Sequence, residues 1–88
     1  MLGIQVERAG DKLILVWQLS RIEIPVAEIR EVAEDPTYGG EDPAAIRIGA
    51  AYGTTDRIVI RTDTRTYLLF TTNGNSIRKR IETLIATR

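Results

Sequence analysis

The sequence predicts a mainly β fold of about seven short strands closed by one C-terminal α-helix. Three observations carry that prediction. Alternating apolar and polar residues recur in short runs, as in Arg21-Ile22-Glu23-Ile24 and Arg57-Ile58-Val59-Ile60-Arg61. Those runs are separated by turn-forming residues, such as Gly10-Asp11, Asp35-Pro36 and Gly39-Gly40. Apolar residues fall at clear helical spacing only near the end, at Ile77, Ile81, Leu84 and Ile85.

Each element follows from its residues. Ile4-Gln5-Val6-Glu7 alternates and runs into the turn chemistry of Ala9-Gly10-Asp11. Lys12 to Gln18 holds the apolar run Leu13-Ile14-Leu15-Val16-Trp17, the mark of a central strand buried on both faces. After Leu19-Ser20, the strand Arg21 to Ile24 turns Ile22 and Ile24 inward and stops at Pro25, which cannot donate to a ladder. An irregular link then leads to a strand over Ile29 to Ala33. Asp35 to Pro43 reads as a loop, Ile46-Arg47-Ile48 as a short strand, and Gly49 to Asp56 as a second loop.

Arg57 to Thr62 and Tyr67 to Thr71 read as a hairpin about Asp63-Thr64-Arg65. That turn sets Ile58 opposite Phe70 and Ile60 opposite Leu68 on the inner face, with Val59/Leu69 and Arg61/Tyr67 outside. Asn73-Gly74-Asn75-Ser76 offers N-cap candidates for a helix that leaves Arg78, Lys79, Arg80 and Glu82 to solvent. The 88 residues read as one domain, 1–88, with strands within 3–72 and the helix at about 75–87.

Composition excludes several chemistries. The chain has no cysteine and no histidine, removing disulfides, thiolate metal sites and the usual near-neutral general base. Ser20 and Ser76 therefore lack a histidine partner, no carboxylate pair has recognisable spacing, and neither a catalytic set nor a metal site is expected. Gly49 to Asp56 has neither phosphate-binding glycine pattern, so its glycines read as bends, with Asp56 and Arg57 fixing loop to strand. The acids of Asp35 to Pro43 match no calcium loop. No cofactor is expected.

Net charge is zero but unevenly placed. Residues 1–44 carry four cations against nine anions, and residues 45–88 eight cations against three. Interleaving strands are expected to neutralise the two halves. With Arg78-Lys79-Arg80 reading as a solvated helix face, no nucleic-acid partner is expected. The longest apolar run is far short of a membrane span, and no signal-like leader opens the chain, so the expected location is cytoplasmic.

The order of elements resembles the pleckstrin-homology-like (PH-like) fold: two orthogonal antiparallel sheets of about seven strands in all, forming a barrel capped by a C-terminal helix. More narrowly, Ile24-Pro25-Val26-Ala27-Glu28-Ile29, the segment Ala51 to Ile60, and Tyr67 through Asn73 resemble the bacterial PH-like domains of the SunI/YnzG family, which includes a sublancin immunity protein. That immunity protein is membrane-associated through an apolar N-terminal segment, whereas this chain begins almost directly with its first strand. The likeness does not extend to phosphoinositide binding. Only Arg8, Lys12 and Arg21 stand near the first two strands, with Glu7 and Asp11 among them.

The resemblance and the missing catalytic set together imply a non-enzymatic module. Its partner would be a peptide or protein, bound by strand addition at a sheet edge or in the groove beside the helix. Tyr38, Tyr52, Arg61 and Tyr67 are the candidate binding residues, expected to form one amphipathic patch. A bacteriocin-immunity or envelope-stress factor associated weakly with the inner membrane face is the alternative. Self-association through open sheet edges is a third.

Overall fold

The computed structural model describes residues 3–35, 44–50 and 52–86. Seven strands and one long helix follow in the order β1 (Gln5–Ala9), β2 (Lys12–Trp17), β3 (Ser20–Pro25), β4 (Ile29–Glu34), β5 (Ile46–Ile48), β6 (Asp56–Thr62), β7 (Thr66–Thr71) and α1 (Gly74–Ile85). A single 3-10 turn, Val26–Glu28, links β3 to β4. The mainly β, helix-capped class predicted above is thus the class observed.

One sheet runs β1-β2-β3 and the other β4-β6-β7-β5. The first is a meander of two tight hairpins, joined at Gly10-Asp11 and Gln18-Leu19. Gly10 and Gln18 each stand first in their turn with positive φ, 61° and 54°. A glycine accepts that conformation freely; a glutamine does so at a cost. In the second sheet β5 pairs parallel to β7. Two strands of one sheet run parallel only through a crossover, and β4 and β5 occupy its opposite edges.

The core lies between the inner faces of both sheets and α1. Leu13, Leu15 and Ile24 from the first sheet meet Ile29, Ile58, Ile60 and Leu69 from the second. Ile81 and Ile85 close it from the helix. The stripe read from the sequence is therefore the face that α1 buries. As a central strand, β2 also buries Ile14 on its outer side, where the register sets it between Glu7 and Glu23.

The β6–β7 register differs by one residue from the expected one. Ile58 pairs with Leu69, Val59 with Leu68 and Ile60 with Tyr67. The cause is a shorter turn. The Thr62 N–H donates to the Arg65 carbonyl at 2.8 Å, and the Thr62 hydroxyl accepts the Arg65 N–H at 2.9 Å, leaving only Asp63 and Thr64 between them. Every β7 side chain then changes face. Tyr67 and Leu69 enter the core, while Leu68 and Phe70 join Val59 and Ala45 in a second cluster.

That turn is tied to the start of β4. The Asp63 N–H donates to the Glu28 carbonyl at 3.1 Å, and Arg30 Nη2 donates to Asp63 Oδ2 at 2.8 Å. The pairing of β4 with β6 is irregular between Ile29 and Glu31, at Arg30. The hydrogen bond from Arg30 holds the Asp63 carboxyl below the ordinary carboxylate range. Because the folded-state value is the lower one, this contribution is present above the unfolded-state value and fades as pH falls through the folded one. Arg30→Ala should return the Asp63 titration, followed by carboxyl NMR shifts, to the ordinary range; an unchanged midpoint would contradict the pairing.

Candidate functional site

The candidate binding residues do not gather into one patch. Tyr67 is 6% exposed, inside the main core. Arg61 lies on the outer face of β6, where its Nε donates to Glu31 Oε1 at 3.2 Å. Tyr52 is 91% exposed in the loop between β5 and β6, beyond the opposite end of β6 from Arg61. Tyr38 lies outside the described residues. The expected outward pairing of Arg61 with Tyr67 is corrected by the register: Arg61 faces Thr66.

The structure instead places an open groove between β1 and α1. Its volume is about 700 Å³, within the usual range for ligand clefts. Ile4, Gln5 and Val6 supply one wall; Ser76, Ile77 and Arg80 supply the other. β1 is an edge strand, and the two-residue turn after Ala9 fixes which of its groups face outward. Gln5, Glu7 and Ala9 bond to β2, whereas Val6 and Arg8 turn their backbone groups to the free edge.

Two arginines bind this edge to the helix. Arg80 Nε donates to the Val6 carbonyl at 3.1 Å. Arg8 Nη1 donates to the Leu84 carbonyl at 2.7 Å, one of the last helical carbonyls and so without an intrahelical partner. The ties partly close the edge against strand pairing and set the width of the groove. The sequence suggests a groove beside the helix but not these two ties, because Arg80 reads as a solvent charge on α1 and Arg8 as an isolated cation on the first strand.

A second cleft, of about 320 Å³, lies between Trp17-Gln18 on one side and Ala50 and Thr54 on the other. It shares Gly3, Ile4, Thr71 and Asn73 with the first groove, so the two adjoin at one end of the fold. Trp17, expected in the core or at its rim, is half-buried against the main cluster. The loop on the far side is well anchored. The Thr54 hydroxyl donates to the Ala50 carbonyl at 2.8 Å. The Arg57 guanidinium, buried and stacked 4.8 Å from the Phe70 ring centre, donates to the Thr54 carbonyl at 3.3 Å. Arg57 thus fixes loop to strand as expected.

Asp56 does something the sequence did not reveal. Its Oδ2 accepts the Gly74 N–H at 2.9 Å, capping α1 from a distant strand. Asn73 stands at the N-cap position but makes no side-chain cap bond. The carboxylate also meets the positive end of the helix dipole. A Cβ on Gly74 would come within 2.7 Å of Asp56 Cβ, so the close approach requires glycine. Asp56→Ala should destabilise the fold by about 1 kcal/mol, the usual cost of a lost cap. Urea unfolding checks this, and an unchanged midpoint would contradict the capping role.

Chemically, both clefts are suited to holding a ligand by contact and hydrogen bonding. Ser20 is exposed at the β2–β3 turn and Ser76 is exposed on α1. Among the described residues, no three acids converge as metal ligands, and no helix is long and apolar enough to cross a membrane.

Comparison with known proteins agrees with this architecture. Residues 2–83 match the family model described as the SunI-like bacterial PH domain. The chain is 57% identical over 81 residues to the UPF0457 protein YnzG of Bacillus subtilis, covering 92% of this chain and 98% of that one. It is 53% identical over 85 residues to a UPF0457 protein of Geobacillus thermodenitrificans, covering 97% and 91% respectively. With a UPF0457 protein of Bacillus thuringiensis, identity is 58% over 78 residues, or 88% of this chain and 93% of that relative. No solved structure matches. With a helix-capped pair of sheets and a family match over nearly its whole length, the chain belongs to the SunI-like bacterial PH domains.

Proposed function

We propose that the chain is a non-enzymatic interaction module that takes a short extended segment of a protein partner in the groove between β1 and α1. One observation carries this reading: about 700 Å³ of open space adjoins a sheet edge and is walled by both apolar and polar side chains. Ile4 and Ile77 offer apolar contact, while Gln5, Ser76 and Arg80 offer hydrogen bonds. Full strand addition along β1 requires Arg80 to release the Val6 carbonyl. The reading therefore favours a ligand that enters mainly by its side chains, with backbone pairing confined to the stretch beside Ile4.

Panning a displayed peptide library against the whole chain tests this. Ser76 is exposed, so Ser76→Trp fills the groove without touching the core. Selected peptides should bind this variant at least about tenfold more weakly, a loss of about 1.4 kcal/mol or more. Peptides that bind wild type and Ser76→Trp equally would contradict the groove as the site.

A second reading has its own support. Association with a membrane surface, on the cytoplasmic side expected from the sequence, draws support from two large apolar side chains left in solvent, Leu19 and Tyr52. Bacteriocin immunity within that reading rests on the likeness to SunI-like domains. Expressing the chain in a sublancin-sensitive bacterium tests it. Survival no better than that of an empty-vector control counts against immunity.

A further inference from the structure

We infer that the end of the fold carrying the β2–β3 turn and the β5–β6 loop docks on a lipid bilayer by inserting Leu19 and Tyr52 into its interface, with no need for anionic lipid. The inference rests on the membrane-surface reading and names the surface that would serve it. Leu19 is fully exposed and Tyr52 is 91% exposed, the two exposed large hydrophobics among the described residues. Both stand in loops whose neighbouring residues line opposite sides of one cleft, Gln18 next to Leu19 and Ala50 and Thr54 either side of Tyr52. Isolated exposed apolar residues are ordinary. Two at matching positions on one end, on loops with no charge, are less so.

The charge pattern separates this end from the rest of the molecule. Residues 3–6, 17–20, 48–55 and 71–76 contain no charged side chain, although 27% of the chain is Asp, Glu, Lys or Arg. These are the starts of β1 and α1, the β2–β3 turn, the β5–β6 loop and the exit of β7. The charges that follow the β5–β6 loop, Asp56 and Arg57, are turned to internal tasks, one capping α1 and the other stacking on Phe70, while Arg47 before the loop donates back to the Ala45 carbonyl at 3.0 Å. The opposite end holds Asp11, Lys12, Glu28, Arg30, Asp63 and Arg65 at its turns. A charge brought into a bilayer interface is costly, and the end with the apolar tips avoids that cost.

The turn that presents Leu19 accepts a local cost without burying its apolar residue. Gln18 adopts positive φ where glycine is preferred, and Leu19 gains no burial in return. Tyr52 has an apolar ring and a polar tip, the combination enriched at membrane–water interfaces. A protein partner would need a separate pocket for each tip, whereas a bilayer interface accepts both at once. Neither loop holds a cation, and Arg21, two residues beyond Leu19, pairs with Glu23 at 3.3 Å, so attraction to acidic headgroups is not part of the mechanism.

The experiment uses the whole chain with vesicles of phosphatidylcholine alone and of phosphatidylcholine mixed with phosphatidylglycerol. Flotation gives the bound fraction. The single tryptophan, Trp17, stands two residues from Leu19 and reports insertion through its emission. Wild type should float with both vesicle types to within about twofold, and its emission should shift to the blue. Leu19→Ser with Tyr52→Ser should lower partitioning at least about tenfold, given what burying one such side chain contributes, and abolish the shift. Both tips are in solvent, so the double variant should retain its Tm and circular dichroism.

Other outcomes overturn the inference in distinguishable ways. Binding that survives the double variant and needs phosphatidylglycerol would move the membrane contact elsewhere, with the membrane reading intact. Failure of wild type to float with either vesicle overturns both. A dimer detected by light scattering and lost in the double variant, without vesicle binding, would assign the tips to a second copy of the chain.

Discussion

Gly49→Ala is expected to destabilise the fold by about 3 kcal/mol, one of two large effects that test its internal geometry. Two penalties combine. Gly49 has φ +95°, a region that disfavours any side chain, and a Cβ there would stand 2.6 Å from the Phe70 carbonyl oxygen. The obstacle is backbone, so relief requires β7 to move, with Ile4 Cδ1 already 3.2 Å from the same Cβ position. For a domain this small, about 3 kcal/mol lowers Tm by more than about 10 °C. Thermal unfolding followed by circular dichroism checks it. A loss below about 1 kcal/mol would contradict the close approach of Gly49 to the Phe70 carbonyl.

The second large effect separates the observed β6–β7 register from its one-residue alternative. Tyr67→Ala should cost about 3 kcal/mol, because the ring is buried in the main core beside Ile60. Arg61→Ala should cost under about 1 kcal/mol, since its pairing with Glu31 is half exposed on both sides. In the alternative register both residues are on the outer face, and the two costs should be similarly small. Urea unfolding of the two variants side by side distinguishes these outcomes.

Why the register escaped the sequence is instructive. β6 alternates, and Ile58 and Ile60 point inward as its pattern implies. Tyr67-Leu68-Leu69-Phe70 is apolar throughout, so it has no period-two signal to choose a face. The turn had to choose, and the Thr62 hydroxyl tightens it by one residue. The strands and helix were legible because each carries its own period and its own punctuation. The parallel placement of β5 was not, because three residues specify neither partner nor direction.

The candidate site was less legible for a related reason. Aromatics and an arginine suggest a binding patch from sequence alone, yet one of them, Tyr67, is buried by the fold. The groove depends on Arg80 reaching the Val6 carbonyl across 74 residues of chain. The helix start depends on Asp56 reaching Gly74 across 18. Long-range pairings of this kind leave no local pattern. The exposed Leu19 likewise gives no signal in sequence, where Leu19-Ser20 reads only as a short link between strands.

Amide NMR shift mapping of the whole chain during titration with a selected peptide shows whether the groove between β1 and α1 is where a partner binds. The largest changes are expected at Gln5, Glu7, Ser76 and Ile77, along both walls of the groove. Small changes are expected at Glu31 and Arg61 on the outer face of the second sheet. Changes centred on that outer face, with the β1 and α1 amides unmoved, would contradict it.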